Sequence, residues 1–210
     1  PKIEIPEVLV RKRLFLIRFF ILMSTHKHFI FHKPYGTISQ FVNPNKRRKK
    51  LLGEHYDFPK KTMVIGRLDV NSEGLLLLTT DGKVSEFIRS KKIEKEYYVQ
   101  VDGNITKEAI KKLKQGVEIG FDGKKYLTKD CQASIINNPN FKNRTPKIRD
   151  NRHGPTSWVS ITITEGKFRQ VRKMTAAVGF PTLRLIRVRI GQVLLEGIDL
   201  GEVKKVKSLV

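Results

Sequence analysis

The segment EGLLLLTT, Glu73 to Thr80, constrains the fold more than any other stretch of the chain. It is a short apolar run bounded by turn residues, the pattern of a buried strand. MVIG, Met63 to Gly66, has the same form. EYYVQV alternates instead, so Tyr97, Val99 and Val101 share one face and Tyr98 and Gln100 the other. WVSITIT repeats that alternation, with Val159, Ile161 and Ile163 toward the core. HFIFHKPYG is a further strand, closed by Pro34 and Gly36, and LRLIRVRIG near the end is another. Helical patterns are short. One runs over Lys83–Arg89, with Val84, Phe87 and Ile88 on one side. A second is N-capped by Thr106, carries Ala109, Ile110 and Leu113, and ends at Gly116. A third runs from Gln170 to Val178 and is stopped by Gly179 and Pro181. Strands and short helices are interspersed without a regular βαβ period. The expected class is α+β, a mixed and largely antiparallel sheet flanked by short helices.

Charge narrows the function. The 210 residues carry 42 Lys and Arg against 20 Asp and Glu, a formal net charge of +22. A polyanionic partner is favoured, because each neutralised phosphate releases counterions. An enzyme confined to small neutral metabolites is disfavoured. Cys131 is the single cysteine, so no intramolecular disulfide can form, which fits a reducing, cytoplasmic setting. His26, His28 and His32 share strand parity, but no carboxylate sits nearby to complete a metal site. No metal and no cofactor is expected.

Residues 1–25 differ from the rest. Leu14 to Met23 is a ten-residue run, apolar except for Arg18 and preceded by Arg11, Lys12 and Arg13. That is half of the roughly 20 residues a membrane span needs, so no membrane partner is expected. Residues 1–25 are read as an N-terminal extension, with Met23 the expected true start, and residues 26–210 as one catalytic domain.

From Lys167 to Arg189 there are seven basic residues and no acidic ones: Lys167, Arg169, Arg172, Lys173, Arg184, Arg187 and Arg189. Arg169, Arg172, Lys173 and Ala176 fall at i, i+3, i+4 and i+7 of the third helix, opposite Val171, Met174 and Val178. Solvated faces usually mix signs, so an all-basic face points to RNA. Two loops add to it, Lys46–Lys50 and Lys142–Arg152. A carboxylate in such a field is held ionised. Asp69, in GRLDVNSEGLLLLTTDG, is the candidate nucleophile. On residues alone an aspartate in such a loop is more often a turn or cap residue.

That seventeen-residue segment, Gly66 to Gly82, resembles the signature loop of the RsuA-type pseudouridine synthases of ribosomal RNA. HKPYG, KEYYVQVDG and EGKFRQVRKM match further motifs of the family in the expected order. The resemblance covers about residues 27–206 and is nearest to the RluE branch, whose members modify large-subunit rRNA.

The resemblance implies the pseudouridine synthase fold with its catalytic cleft, and it implies roles. Asp69 would attack a flipped-out uridine, Tyr97 would stack on the base and help remove a proton, and Arg172 would pair with Asp69. Arg67 would fill the space the nucleotide leaves, and Leu185 would wall the base. Lys167, Arg169, Lys173 and Arg187 would contact the RNA. The family's usual accessory RNA-binding domain has no counterpart among these motifs, so target choice falls to the basic loops. The expected partner is large-subunit rRNA or an assembly intermediate, and the expected state is a monomer. A non-catalytic rRNA-binding assembly factor is the alternative.

Overall fold

The computed structural model describes residues 26–43, 49–90, 93–148 and 151–210. The extension 1–25 lies outside the described residues, as do residues 46–48 and 149–150 of the two basic loops.

Strands β1 (His28–Lys33), β2 (Met63–Ile65), β3 (Glu73–Thr79) and β4 (Lys95–Asp102) precede a hairpin, β5 (Glu118–Phe121) and β6 (Lys124–Leu127). Then come β7 (Gln132–Ile136), β8 (Thr156–Ile163), β9 (Thr182–Ile190), β10 (Val193–Leu194) and β11 (Val203–Val206). Three helices are described: α1 (Gly82–Ser90), α2 (Lys107–Lys114) and α3 (Gln170–Ala177). The main sheet has nine strands in the order β11-β1-β3-β9-β4-β8-β7, with β2 on β3 and β10 on β9. The β3–β9 pairing is parallel and the other named pairings are antiparallel, so the expected mixed, largely antiparallel α+β architecture is observed.

Burial follows the patterns in the residues. Leu75 and Leu77 enter one core with Ile186, Ile190 and Ile88 of α1, while Leu76 and Leu78 enter another with Phe29 and Phe31. Both faces of β3 are covered, hence its continuous leucines. In β4, Tyr97, Val99 and Val101 join Val159, Ile161 and Leu185 beneath α2 and α3. Thr106 caps α2, its side-chain oxygen accepting from Ala109 N–H at 3.2 Å.

Some expectations fail for physical reasons. Phe87 was expected on the buried side of α1, but it is 43% exposed while Ser85 is buried, because the helix seats through Ile88. The β5–β6 hairpin and β7 escape sequence reading because each is only four or five residues long and half exposed. The histidines serve packing: His28 Nδ1 lies 2.9 Å from Thr79 Oγ1, and His32 Nδ1 lies 2.9 Å from Ile198 O.

The parallel seam is short, pairing Glu73 with Ile186 and Gly74 with Arg187. Gly74 has φ +106°, and a Cβ there would lie 2.3 Å from the Arg187 carbonyl oxygen. Glycine is required twice over, by backbone conformation and by contact. Gly74→Ala is expected to cost about 3 kcal/mol or more, read as a fall in urea midpoint.

Lys33 ends β1 fully buried, its Nζ donating to Thr37 O at 2.8 Å and Pro34 O at 3.0 Å. Burial lowers its pKa from 10.5 to about 7, with Glu73 opposing that shift and Arg187 adding to it. Between about 7 and 10.5 the unfolded chain binds the extra proton, so Lys33 makes stability rise with pH across that window. Lys33→Met is expected to flatten that rise in urea titrations run at stepped pH.

Candidate active site

The loop from Gly66 to Ser72 joins β2 to β3 and is held by its carbonyls from several sides. Ser39 Oγ donates to Leu68 O at 2.8 Å and accepts from Leu68 N–H at 3.1 Å. Gly36 N–H donates to Val70 O at 2.8 Å, which ties the HKPYG segment to the loop. Arg172 Nη2 donates to Asn71 O at 2.7 Å and to Ser72 Oγ at 3.3 Å. Arg187 reaches from β9, its Nε donating to Leu75 O at 2.8 Å and Nη1 to Arg67 O at 3.5 Å. With the backbone so fixed, the Asp69 side chain remains a quarter exposed at the wall of a cleft of about 610 Å³.

Arg67, Asp69, Tyr97, Lys167, Arg169, Leu185 and Arg187, all expected at the site, line this cleft. Tyr97 and Leu185 are almost wholly buried and form its apolar side. Arg67 is exposed at the opening. Arg187 is 3% exposed, and its Nη2 has no hydrogen-bond partner.

The expected Arg172–Asp69 ion pair is replaced by another. Arg169 Nη1 lies 3.5 Å from Asp69 Oδ2, while Arg172 binds the loop backbone. The reason is local. Arg169 is not part of the helix; it precedes α3 with φ +53°, a left-handed conformation that is costly for a side-chain-bearing residue. The i, i+3, i+4 face therefore breaks at its first member. Arg172 sits one turn on and reaches past Asp69 to Asn71. Burial, and next the charge of Arg169, lower the pKa of Arg172, against the pull of Asp69.

Lys173 is also displaced from the expected set. Its Nζ donates to Gly120 O at 2.6 Å on β5 and lies 5.6 Å from the Phe168 ring centre. Lys167 packs similarly, 4.8 Å from Phe121 and 5.0 Å from Tyr126. The segment carrying Lys167, Phe168 and Arg169 is braced by Glu165, which accepts from Tyr126 Oη at 2.6 Å, Gln170 Nε2 at 2.6 Å and Lys129 N–H at 2.9 Å. Burial would raise the Glu165 pKa, but these bonds outweigh it and hold the carboxyl below its ordinary value.

Three of the lining residues that escaped sequence reasoning carry polar or aromatic chemistry. Lys95, whose Nζ donates to Ile93 O at 2.9 Å, has the same parity as Tyr97, and that signal could have found it. Ser39 acts only on backbone across the fold, and Phe168, 67% exposed, looks like any surface residue in a basic run. A second groove of about 500 Å³, around Tyr98, Phe141 and Leu195, lies on the other face of the sheet and contains none of the expected site residues.

The fold agrees with comparisons to known proteins. Residues 27–177 match the RNA pseudouridylate synthase family. The ribosomal large subunit pseudouridine synthase E of Vibrio vulnificus (strain CMCP6) is 41% identical over 186 residues, covering 88% of this chain and 76% of that protein. The ribosomal large subunit pseudouridine synthase B of Bacillus subtilis (strain 168) is 32% identical over 180 residues, covering 85% and 67%. A crystal structure of a pseudouridylate synthase superposes with a TM-score of 0.67 at 28% identity, covering 86% of this chain and 70% of the other. A family match over most of the chain, with a relative at 41% identity, shows that this protein belongs to the RNA pseudouridylate synthase family and is a pseudouridine synthase.

Proposed function

We infer that the protein isomerises a uridine of large-subunit ribosomal RNA, with Asp69 as nucleophile and the target nucleotide flipped out of its stack. The observation that carries this reading is a carboxylate and a buried tyrosine, Asp69 and Tyr97, in one cleft whose charged lining is otherwise cationic. The similarity to relatives named for the large ribosomal subunit supports the choice of RNA.

In this reading the Asp69 carboxylate forms a covalent bond to the nucleotide and the glycosidic bond to nitrogen breaks. The uracil turns within the cleft, its C5 bonds to the sugar, the C5 proton leaves while N1 takes up a proton, and Asp69 is released. Tyr97 supports the base and Leu185 walls it. Tyr97 also helps remove the proton on C5, and Lys95 lies half-buried at the same wall. Flipping costs a few kcal/mol, and phosphate contacts by Lys167 and Arg169 offset it. Arg67, exposed at the opening, fills the space left in the RNA. Arg187 offers its unpartnered Nη2 to an oxygen of the bound nucleotide.

Tritium release from large-subunit rRNA labelled at uracil C5 tests this. Wild type is expected to release label, and Asp69→Asn to release it at least about a thousandfold more slowly. No release by wild type would place the target uridine in another RNA, and equal release by the variant would remove Asp69 from its role. Arg169→Gln and Arg172→Gln are each expected to slow release by about tenfold to a hundredfold, the first by uncovering Asp69 and the second by loosening its loop.

A further inference from the structure

The loop before β8 does more than cross the sheet. Phe141 packs 6.3 Å from both Tyr98 and Trp158, on the face of β4 and β8 opposite Tyr97, and Arg184 Nη2 donates to Lys142 O at 3.1 Å. Beyond this anchor Arg144 turns inward and is 12% exposed, its guanidinium carbon 4.2 Å from the centre of the Tyr35 ring. Its Nε lies 3.7 Å from Glu73 Oε1, outside hydrogen-bond reach, while both Glu73 oxygens accept from Arg184 at 3.0 and 2.7 Å. Arg144 Nε and Nη1 are buried and have no acceptor.

Arg144 lines a pocket of about 290 Å³, whose lining also includes Lys147, Arg184, Asn138, Asn143 and Gln100. Among the described residues that line it there is no carboxylate. Asn138 uses its oxygen on Asn140 N–H, which leaves its amide hydrogens to donate, and Lys147 is exposed at the rim. Buried donors without acceptors are costly, and a guanidinium beside a lysine and two side-chain amides matches the oxygens of a phosphate.

We propose that this pocket holds a backbone phosphate of the RNA strand flanking the target uridine, with Arg144 and Lys147 as its cations and Asn138 and Asn143 as neutral donors. The inference rests on the RNA reading of the cleft, but the pocket is separate from it. The two are joined through the protein: Arg144 touches Tyr35 of the HKPYG segment and approaches Glu73, the residue after the Asp69 loop. An RNA gripped here is held behind that loop while Arg67, Lys167 and Arg169 hold it in front.

The test compares Lys147→Gln and Arg144→Gln with wild type on a long rRNA fragment and on a short hairpin carrying only the target loop. On the long RNA, each variant is expected to weaken binding about fivefold at ~0.1 M salt and to reduce the slope of log Kd against log salt by about 1. On the short hairpin the variants are expected to differ from wild type by less than twofold. Trp158 is the only tryptophan and lines the pocket, so its fluorescence reads occupancy without turnover. Long RNA is expected to change it in wild type and not in the double variant. Inorganic phosphate alone separates the sources: micromolar binding, with RNA affinity indifferent to both variants, means a free-phosphate site and overturns the proposal. A loss confined to kcat, with Kd and salt slope as in wild type, makes Arg144 a prop for Glu73 and also overturns it. Absence of pseudouridine formation by wild type fails the cleft reading instead, because binding and fluorescence do not depend on catalysis.

Discussion

The buried pairing of Glu73 with Arg184 holds together the seam on which the site depends. β3 and β9 meet in parallel over only two residue pairs, and this two-toothed ion pair spans the join. Deleting one partner of such a pair costs about 3–5 kcal/mol, because the other is left charged and dry. Glu73 stands immediately after the Asp69 loop, and Arg184 stands one residue before Leu185 in the cleft wall. The pair therefore sets the distance between the loop that bears the carboxylate and the strand that shapes the pocket. Gly74 lets the two backbones come close enough for it to form.

The cationic excess divides into two kinds of work. Arg184 is committed to Glu73, and Arg189 to Glu94 and Glu96 at 3.0 and 2.9 Å. Arg187 and Arg172 each donate to backbone carbonyls of the Asp69 loop or of β3. These bonds are architectural, and guanidinium suits the task because its planar fork reaches several acceptors at once. Arg67, Lys167 and Arg169 face the cleft, where charge can meet phosphate. The acid-free stretch from Lys167 to Arg189 is thus neither wholly an RNA surface nor wholly a scaffold.

Much of this was legible beforehand where period and chemistry coincide. The alternation in EYYVQV oriented Tyr97 toward the cleft, and the leucine run marked β3 as buried on both sides. Glycine and proline marked the end of α3. The hairpin β5–β6 was not legible, since four-residue half-exposed strands carry no period to detect. Nor was Ser39, whose role is to bind both backbone groups of Leu68, 29 residues away in sequence.

By itself the sequence determined the α+β class, the candidate carboxylate Asp69, the tyrosine beside it and the family to which the chain belongs. These are properties of local pattern and side-chain chemistry, and they survive without coordinates. Only the tertiary structure decided which arginine meets Asp69. Arg169 and Arg172 are three apart in a basic run, and helical spacing treats them as equivalents. A left-handed backbone at Arg169 turns that side chain to the carboxylate, and the next turn of helix carries Arg172 to Asn71 instead. Partner choice among like charges is a matter of backbone direction over a few ångströms, which composition and periodicity do not encode.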